Sequence, residues 1–383
     1  MKNAAAVLLS VWLAGCASAP PMPPATDLFH DTLFAPPSVP IRADDAMAIS
    51  PEMRRYVAER IVGASRFADP RTRLVDVLYR RGELQLEYDA AETRTAAQAF
   101  AARSGNCLSL VMMTAAIAKE MGLSVRFQSV LGDDAWDRAG DLYVAIGHVN
   151  LTLSDRPTQS GFGFITNDPM TIDFVPPHDT KALRTRVVTE RTVVAMFLNN
   201  RAVESLARGQ ANDAYWWARE AIRIDPELLS AYITLGVVYR NQRHPELADQ
   251  ALLRVIEREP GNTKALSNRV LVLRDLGRPA EASALLARLD SLDPHPPYSY
   301  FNAGMTALRE RRFDDARRLF GKEVDRAPYQ SEFQFWLAIT YLELHDKRQA
   351  TTHLTRAMEV STTRKDRELY AAKLDRLKAL APQ

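Results

Sequence analysis

Two patterns of apolar spacing divide this sequence. From about Leu86 to Val188 the pattern is mixed. A helix is expected from about Thr95 to Ala102, and a second from about Asn106 to Met121 with Gly122 as its stop. The second is apolar on almost every side between Leu108 and Ala118, and a helix apolar all round is a buried one. Beyond Gly122 the period shifts towards that of strands. Val125 to Val130, Leu142 to Leu153 and Met170 to Val175 are rich in β-branched and aromatic residues. Gly161-Phe-Gly163 and Asn167-Asp-Pro169 are the clearest breaks between them. A helical front followed by strands predicts an α+β domain.

The second pattern is a repeat. Pro226, Pro260, Pro294 and Pro328 stand 34 residues apart, and Ala214, Ala248, Ala282, Ala316 and Ala350 keep the same spacing. Ala202, Gly236, Val270, Gly304 and Ala338 form a third register, in which Val270 is the one departure from a small residue. Small residues let paired helices approach closely, and a proline stops the second helix of each pair. From about Ala195 to Arg364 this resembles the tetratricopeptide repeat (TPR), which implies an all-α solenoid with a concave surface for a protein or peptide partner. Arg364 to Leu380 then reads as a polar capping helix, which an open solenoid needs for solubility.

Ahead of both patterns, residues 17–46 carry prolines at 20, 21, 23, 24, 36, 37 and 40. Such spacing prevents regular helix or sheet and predicts an extended tether. Ser50-Pro51-Glu52 is the first helix start, with an N-cap serine and a proline at the first helical position. At the N-terminus, Lys2 and the mostly apolar run Ala4 to Leu13 have the character of a secretion signal. That run is too short to cross a hydrocarbon core of ~30 Å as a helix. Leu13-Ala-Gly-Cys16 resembles a bacterial lipobox, which implies a lipidated Cys16 and a membrane anchor. Ala17 after it, in place of an aspartate, points by the same resemblance to the periplasmic face of the outer membrane. The expected organisation is a signal peptide over 1–15 and a lipidated cysteine with its tether over 16–46. An α+β domain over 47–188 and the repeats with their cap over 195–383 follow.

Composition narrows the partners. The chain is 46% hydrophobic and 25% charged, as in an ordinary globular protein, and its net charge of +2 gives no reason to expect nucleic acid. Only two cysteines occur in 383 residues. If Cys16 is lipidated, Cys107 has no partner in its own chain, which is unusual outside the cytoplasm.

Cys107 lies in Arg103-Ser-Gly-Asn-Cys-Leu-Ser109, at the mouth of the buried helix. The first N–H groups of a helix lack intrahelical partners and its dipole adds positive charge there, so a thiolate is stabilised at that end. Gly105 permits a close backbone approach or a positive φ just before it. A thiolate nucleophile needs a histidine, and the histidine an orienting acceptor. His148 and His178 are the histidines of the mixed region; His178 follows two prolines and reads as a loop residue. His148 lies in Ile146-Gly-His-Val-Asn-Leu-Thr-Leu153, where alternation places it with Asn150 and Thr152 opposite an apolar face. Asp173 stands between Ile172 and Phe174, where an unpaired charge would be costly; Asp168 is the nearby competitor.

A cysteine opening a buried helix, then a histidine and an aspartate on following strands, resembles the transglutaminase-like, papain-related cysteine domains over residues 95–176. The resemblance implies Cys107 as nucleophile, His148 as general base and acid, and Asp173 as the residue that orients the imidazole. For the oxyanion donor that the resemblance also implies, the backbone N–H of Cys107 is the natural candidate, with the Gln128 side chain second. No cofactor is expected, and no ligand spacing or carboxylate-rich loop points to a metal. The function expected is that of a periplasm-facing lipoprotein acting on amide or peptide bonds, by hydrolysis or acyl transfer. The alternative is a non-catalytic TPR scaffold or assembly lipoprotein with an inactive transglutaminase-like domain.

Overall fold

A computed structural model describes residues 25–62, 69–80, 83–131, 135–139, 142–146, 148–154, 169–174, 184–295, 298–328, 330–361 and 363–379. Cys16 with the signal and lipobox segment, Asp168 and His178 lie outside the described residues.

The chain enters through α1 (Pro51–Tyr56), where the Ser50 hydroxyl accepts the Met53 N–H at 3.2 Å. A wider helical turn over Val57–Val62 continues it. Helix α2 (Pro70–Tyr79) follows, capped by Asp69, and then the short strand β1 (Glu87–Tyr88). Helix α3 (Ala96–Ala102) opens with a reciprocal capping box between Thr95 and Gln98. Strand β2 (Ser104–Gly105), parallel to β1, leads into α4 (Cys107–Glu120). Every side chain of α4 from Cys107 to Ala118 is buried, the outcome its unbroken apolar run requires.

After Gly122, whose φ of +82° needs glycine, the chain turns into β3 (Ser124–Leu131). Strands β4 (Ala135–Ala139) and β5 (Leu142–Ile146) pair as a separate antiparallel hairpin. Strands β6 (Val149–Ser154), β7 (Met170–Ile172) and β8 (Arg184–Val188) join β3 in an antiparallel sheet of order β7-β6-β3-β8. The continuous strand expected from Leu142 to Leu153 is therefore two strands, because β5 pairs with β4 whereas β6 pairs with β3. His148 falls between them, just ahead of β6 rather than inside it. Asp173 likewise follows the last residue of β7. Helix α4 packs on β3 and β6, over the apolar row Val149, Leu151 and Leu153.

Five helix pairs follow: α5 (Glu190–Ala207) with α6 (Ala211–Ile224), α7 (Leu229–Asn241) with α8 (Pro245–Arg258), and α9 (Thr263–Asp275) with α10 (Pro279–Leu292). Helices α11 (Ser299–Arg309) with α12 (Phe313–Arg326), and α13 (Ser331–Glu343) with α14 (Lys347–Glu359), complete them. Pro226, Pro260, Pro294 and Pro328 each come just after the second helix of a pair. The repeated alanines are all buried, and the small residues of the third register allow close approach: a Cβ on Gly304 would meet the Phe320 ring at 2.9 Å. The first pair begins at Glu190, ahead of the expected Ala195, since Thr189 caps α5 directly after β8. Helix α15 (Arg364–Ala379) closes the array, burying Tyr370, Leu374 and Leu377.

The expected free tether is corrected over its described part. Residues 25–47 form three short 3₁₀ turns, and Ala25, Leu28, Phe34, Ala43 and Ala46 are buried. The prolines do prevent a helix or ladder, but the segment finds its partners on the first two repeats. Asp27 pairs with Arg254 at 2.7 Å, and Asp31 accepts from Tyr215 Oη at 2.6 Å and Arg219 Nε at 2.8 Å. Tyr239 Oη and Trp216 Nε1 donate to the carbonyls of Leu28 and Ala35, at 2.6 and 2.7 Å. Ser38 binds both carboxylate oxygens of Asp213. One continuous apolar core consequently runs from Ala25 through the α4 region to Val272.

Candidate active site

Antiparallel pairing carries two strand ends to one edge of the sheet. Leu151 stands opposite Ile172, so the residue before β6 and the residue after β7 meet at the same end. The N-terminus of α4 points to that end as well. Cys107 Sγ lies 3.2 Å from His148 Nδ1, and His148 Nε2 lies 2.9 Å from both carboxylate oxygens of Asp173. The structure thus brings together Cys107, His148 and Asp173.

Each member is held locally. Asn106 caps α4, its Oδ1 accepting the Ser109 N–H at 2.9 Å and the Ser109 hydroxyl at 2.8 Å. A Cβ on Gly105 would sit 2.7 Å from Ser109 Cβ, so the glycine serves close approach here. The sulfur is buried, and Sγ also lies 3.1 Å from the Val149 carbonyl oxygen. It is a free cysteine. Asn150 Nδ2 donates at 3.2 Å to Asp173 Oδ2, an oxygen that also faces His148 Nε2, and so helps to fix the carboxylate.

The electrostatics follow from burial against partners. Burial pulls the His148 imidazole down. The hydrogen bonds to Asp173 and Cys107, with their charges, outweigh it and push the group up from 6.5 to about 10. His148 therefore holds a proton on both nitrogens across the neutral range and can deliver one from Nδ1. Nearby, burial first and the Asp173 charge second push the Tyr79 phenol above its ordinary value.

Gln128 sits on β3 opposite Asn150, and no hydrogen bond from it to Cys107 or His148 occurs among the described residues. Three residues at this end escaped sequence reasoning. Asn150 carried a signal, since alternation set it on the His148 face. Thr93 and Glu204 carried none, because their contact spans 111 residues. Burial pushes the Glu204 carboxyl above the usual carboxylate range, against hydrogen bonding from Thr93 and the charges of Arg201 and Arg208. Among the described residues no group of His, Cys, Asp and Glu is arranged to hold a metal ion, and no helix is long and apolar enough to cross a membrane.

Comparison with known proteins bears on the repeats. The tetratricopeptide repeat family model matches residues 229–262, which hold α7 and α8. The type IV pilus assembly protein PilF of Pseudomonas aeruginosa is 29% identical over 121 residues, 31% of this chain and 48% of PilF. An FK506-binding protein-like protein of Mus musculus is 33% identical over 89 residues, 23% of this chain and 26% of its own. The chain thus spans less than half the length of the curated relatives it matches. Among solved structures, YrrB, a TPR protein with an unusual peptide-binding site, is 21% identical with a TM-score of 0.25. The match covers 47% of this chain and 92% of YrrB. The PilF structure is 20% identical with a TM-score of 0.28, over 50% of this chain and 96% of PilF. The C-terminal half of the chain carries tetratricopeptide repeats, an architecture that binds proteins or peptides on its stacked helices.

Proposed function

We propose that Cys107, His148 and Asp173 are the triad of a transglutaminase-like cysteine enzyme acting on amide or peptide bonds, with the repeats binding a protein or peptide partner. The observation that supports this is the unbroken line of contacts from Sγ through the imidazole to the carboxylate, each at hydrogen-bonding distance. In the reaction, Cys107 acts as the thiolate, its proton held on His148. Sγ forms a bond to the carbonyl carbon while the carbonyl oxygen takes the negative charge, facing the N–H at the start of α4. Nδ1 of the imidazolium gives its proton to the departing amine as the C–N bond breaks, leaving a thioester. Water or a second amine then attacks the thioester, His148 takes its proton, and the Cys107 thiolate leaves. Asp173 holds the ring through Nε2 and stabilises its positive charge. The lipobox resemblance adds a lipid on Cys16 and a periplasm-facing position on the outer membrane.

A second reading is favoured by the comparisons, because the family-model match lies in the repeats and one relative is a pilus assembly protein. On that reading the chain is a non-catalytic scaffold or assembly lipoprotein, and the α+β domain is a binding module. Labelling of the purified protein with a thiol-directed electrophile near neutral pH separates the two. The enzyme reading expects Cys107 to label faster than a free thiol in solution and His148→Ala to slow it. Equal rates in both proteins, together with full complementation of a deletion by Cys107→Ser, would leave the scaffold.

A further inference from the structure

The first repeat helix reaches the segment ahead of α3, which in turn holds the N-cap residue of α4. Glu204, near the end of α5, accepts the backbone N–H of Thr93 on Oε1 at 2.7 Å. Thr93 is 1% exposed, and its hydroxyl oxygen accepts Asn106 Nδ2 at 2.7 Å. With Nδ2 engaged in this way, Asn106 Oδ1 faces the Ser109 N–H and hydroxyl. Arg201, also on α5, braces the pair. Its Nη1 lies 3.2 Å from Glu204 Oε2, 3.4 Å from the Thr93 carbonyl and 2.9 Å from Glu92.

The consequence for Cys107 is geometric. Its N–H belongs to the peptide plane between residues 106 and 107, whose orientation is set by the ψ of Asn106, an extended 171°. The same N–H is one of the first donors of α4, without an intrahelical partner. We propose that Glu204 and Thr93 are positioning residues that hold Asn106 so that the Cys107 N–H points at a developing oxyanion. The first repeat helix is then part of the reactive site and not only of the partner-binding array. This rests on the triad reading above.

Two reagents separate aiming of the N–H from general integrity of the thiol. Acylation by p-nitrophenyl acetate forms an Sγ–C bond at a carbonyl, passes through an oxyanion and releases p-nitrophenolate. Alkylation by iodoacetamide displaces iodide at a saturated carbon and makes no oxyanion. In the full chain, Thr93→Val and Glu204→Ala are expected to slow the acylation burst by about tenfold or more, a part of the roughly 10²–10³ that outright loss of an oxyanion donor costs. Their alkylation rates should change far less. Thr93→Ser and Glu204→Gln keep an acceptor at the same place and should restore acylation. Should Glu204→Ala unfold, the nearly isosteric Thr93→Val carries the same comparison. Equal losses with both reagents, or no loss with either, would overturn the relay while leaving the triad standing. A wild-type protein with no Cys107-dependent burst would overturn the triad reading and the relay with it.

Discussion

Phe34 lies flat on Tyr215, with ring centroids 3.9 Å apart and planes 3° apart. A residue from the proline-rich segment is thereby built into the core of the first repeat, and Tyr239 and Asp31 close around the same pair. Phe34→Ala removes a buried aromatic side chain and should cost about 3–5 kcal/mol. Thermal unfolding of the purified variant is the check, and an unchanged midpoint would mean that the segment does not stay docked. Asp27→Asn, whose carboxylate is mostly exposed, should shift the midpoint far less.

The His148 imidazole gives a pH signature of definite sign. Its value is raised in the folded protein, from 6.5 to about 10. The stability contributed by the imidazolium and its partners is then fully present below about pH 6.5 and lost as the pH rises through about 10. Asp173 is about one-third exposed, so solvent screens part of this. The stability gap between wild type and His148→Gln should therefore be widest on the acid side of neutrality and narrow towards pH 10. NMR titration of the His148 ring locates the midpoint directly, and a midpoint near 6.5 would contradict the assignment.

Removal of the other two polar members should grade the site. His148→Ala should lower acylation of Cys107 by about 10²-fold or more, the ordinary worth of a general acid–base group. Asp173→Asn should also lower it, because the ring loses the carboxylate that orients it. Asn150→Leu leaves that carboxylate in place but removes its 3.2 Å donor, so a smaller loss is expected. Asp168→Asn should leave the rate unchanged. Single-turnover acylation measured across the four variants ranks them, and a ranking led by Asp168 would transfer the third role.

The repeats were legible because their signal is local. Each 34-residue unit meets its neighbours through the same few positions, so proline and alanine registers mark helix ends and contacts without knowledge of the rest of the chain. Val270 departs from the small-residue register and is still buried, packed with Leu266, Leu273 and Ala282. Cys107, His148 and Asp173 were also legible as residue types in an order, although His148 and Asp173 stand just beside β6 and β7 rather than within them. Their meeting at one sheet edge depends on the β6–β7 register, which no single segment encodes. The strand break before His148, the strand β8 and the docking of residues 25–47 were not legible. Each depends on a partner distant in sequence: β6 chooses β3 over β5, and Tyr239 waits 211 residues for Leu28. Prolines report only what the backbone of their own segment cannot do.

Two glycines on one helix pair test whether the repeat register is a packing requirement. A Cβ added at Gly304 would lie 2.9 to 3.1 Å from three carbons of the Phe320 ring, which is fully buried against Phe301. A rigid ring in a filled core cannot rotate out of the way, so Gly304→Ala should destabilise by about 1–3 kcal/mol through overpacking. Gly321 lies on α12 beside Phe320, and a Cβ there meets nothing within 4 Å. Gly321→Ala should therefore stabilise, by up to about 1 kcal/mol, since alanine loses less conformational freedom in a helix interior. Opposite shifts of the unfolding midpoint for the same substitution would show that close approach at position 304, rather than helix propensity, accounts for the small residue. Two shifts of the same sign would rule that out.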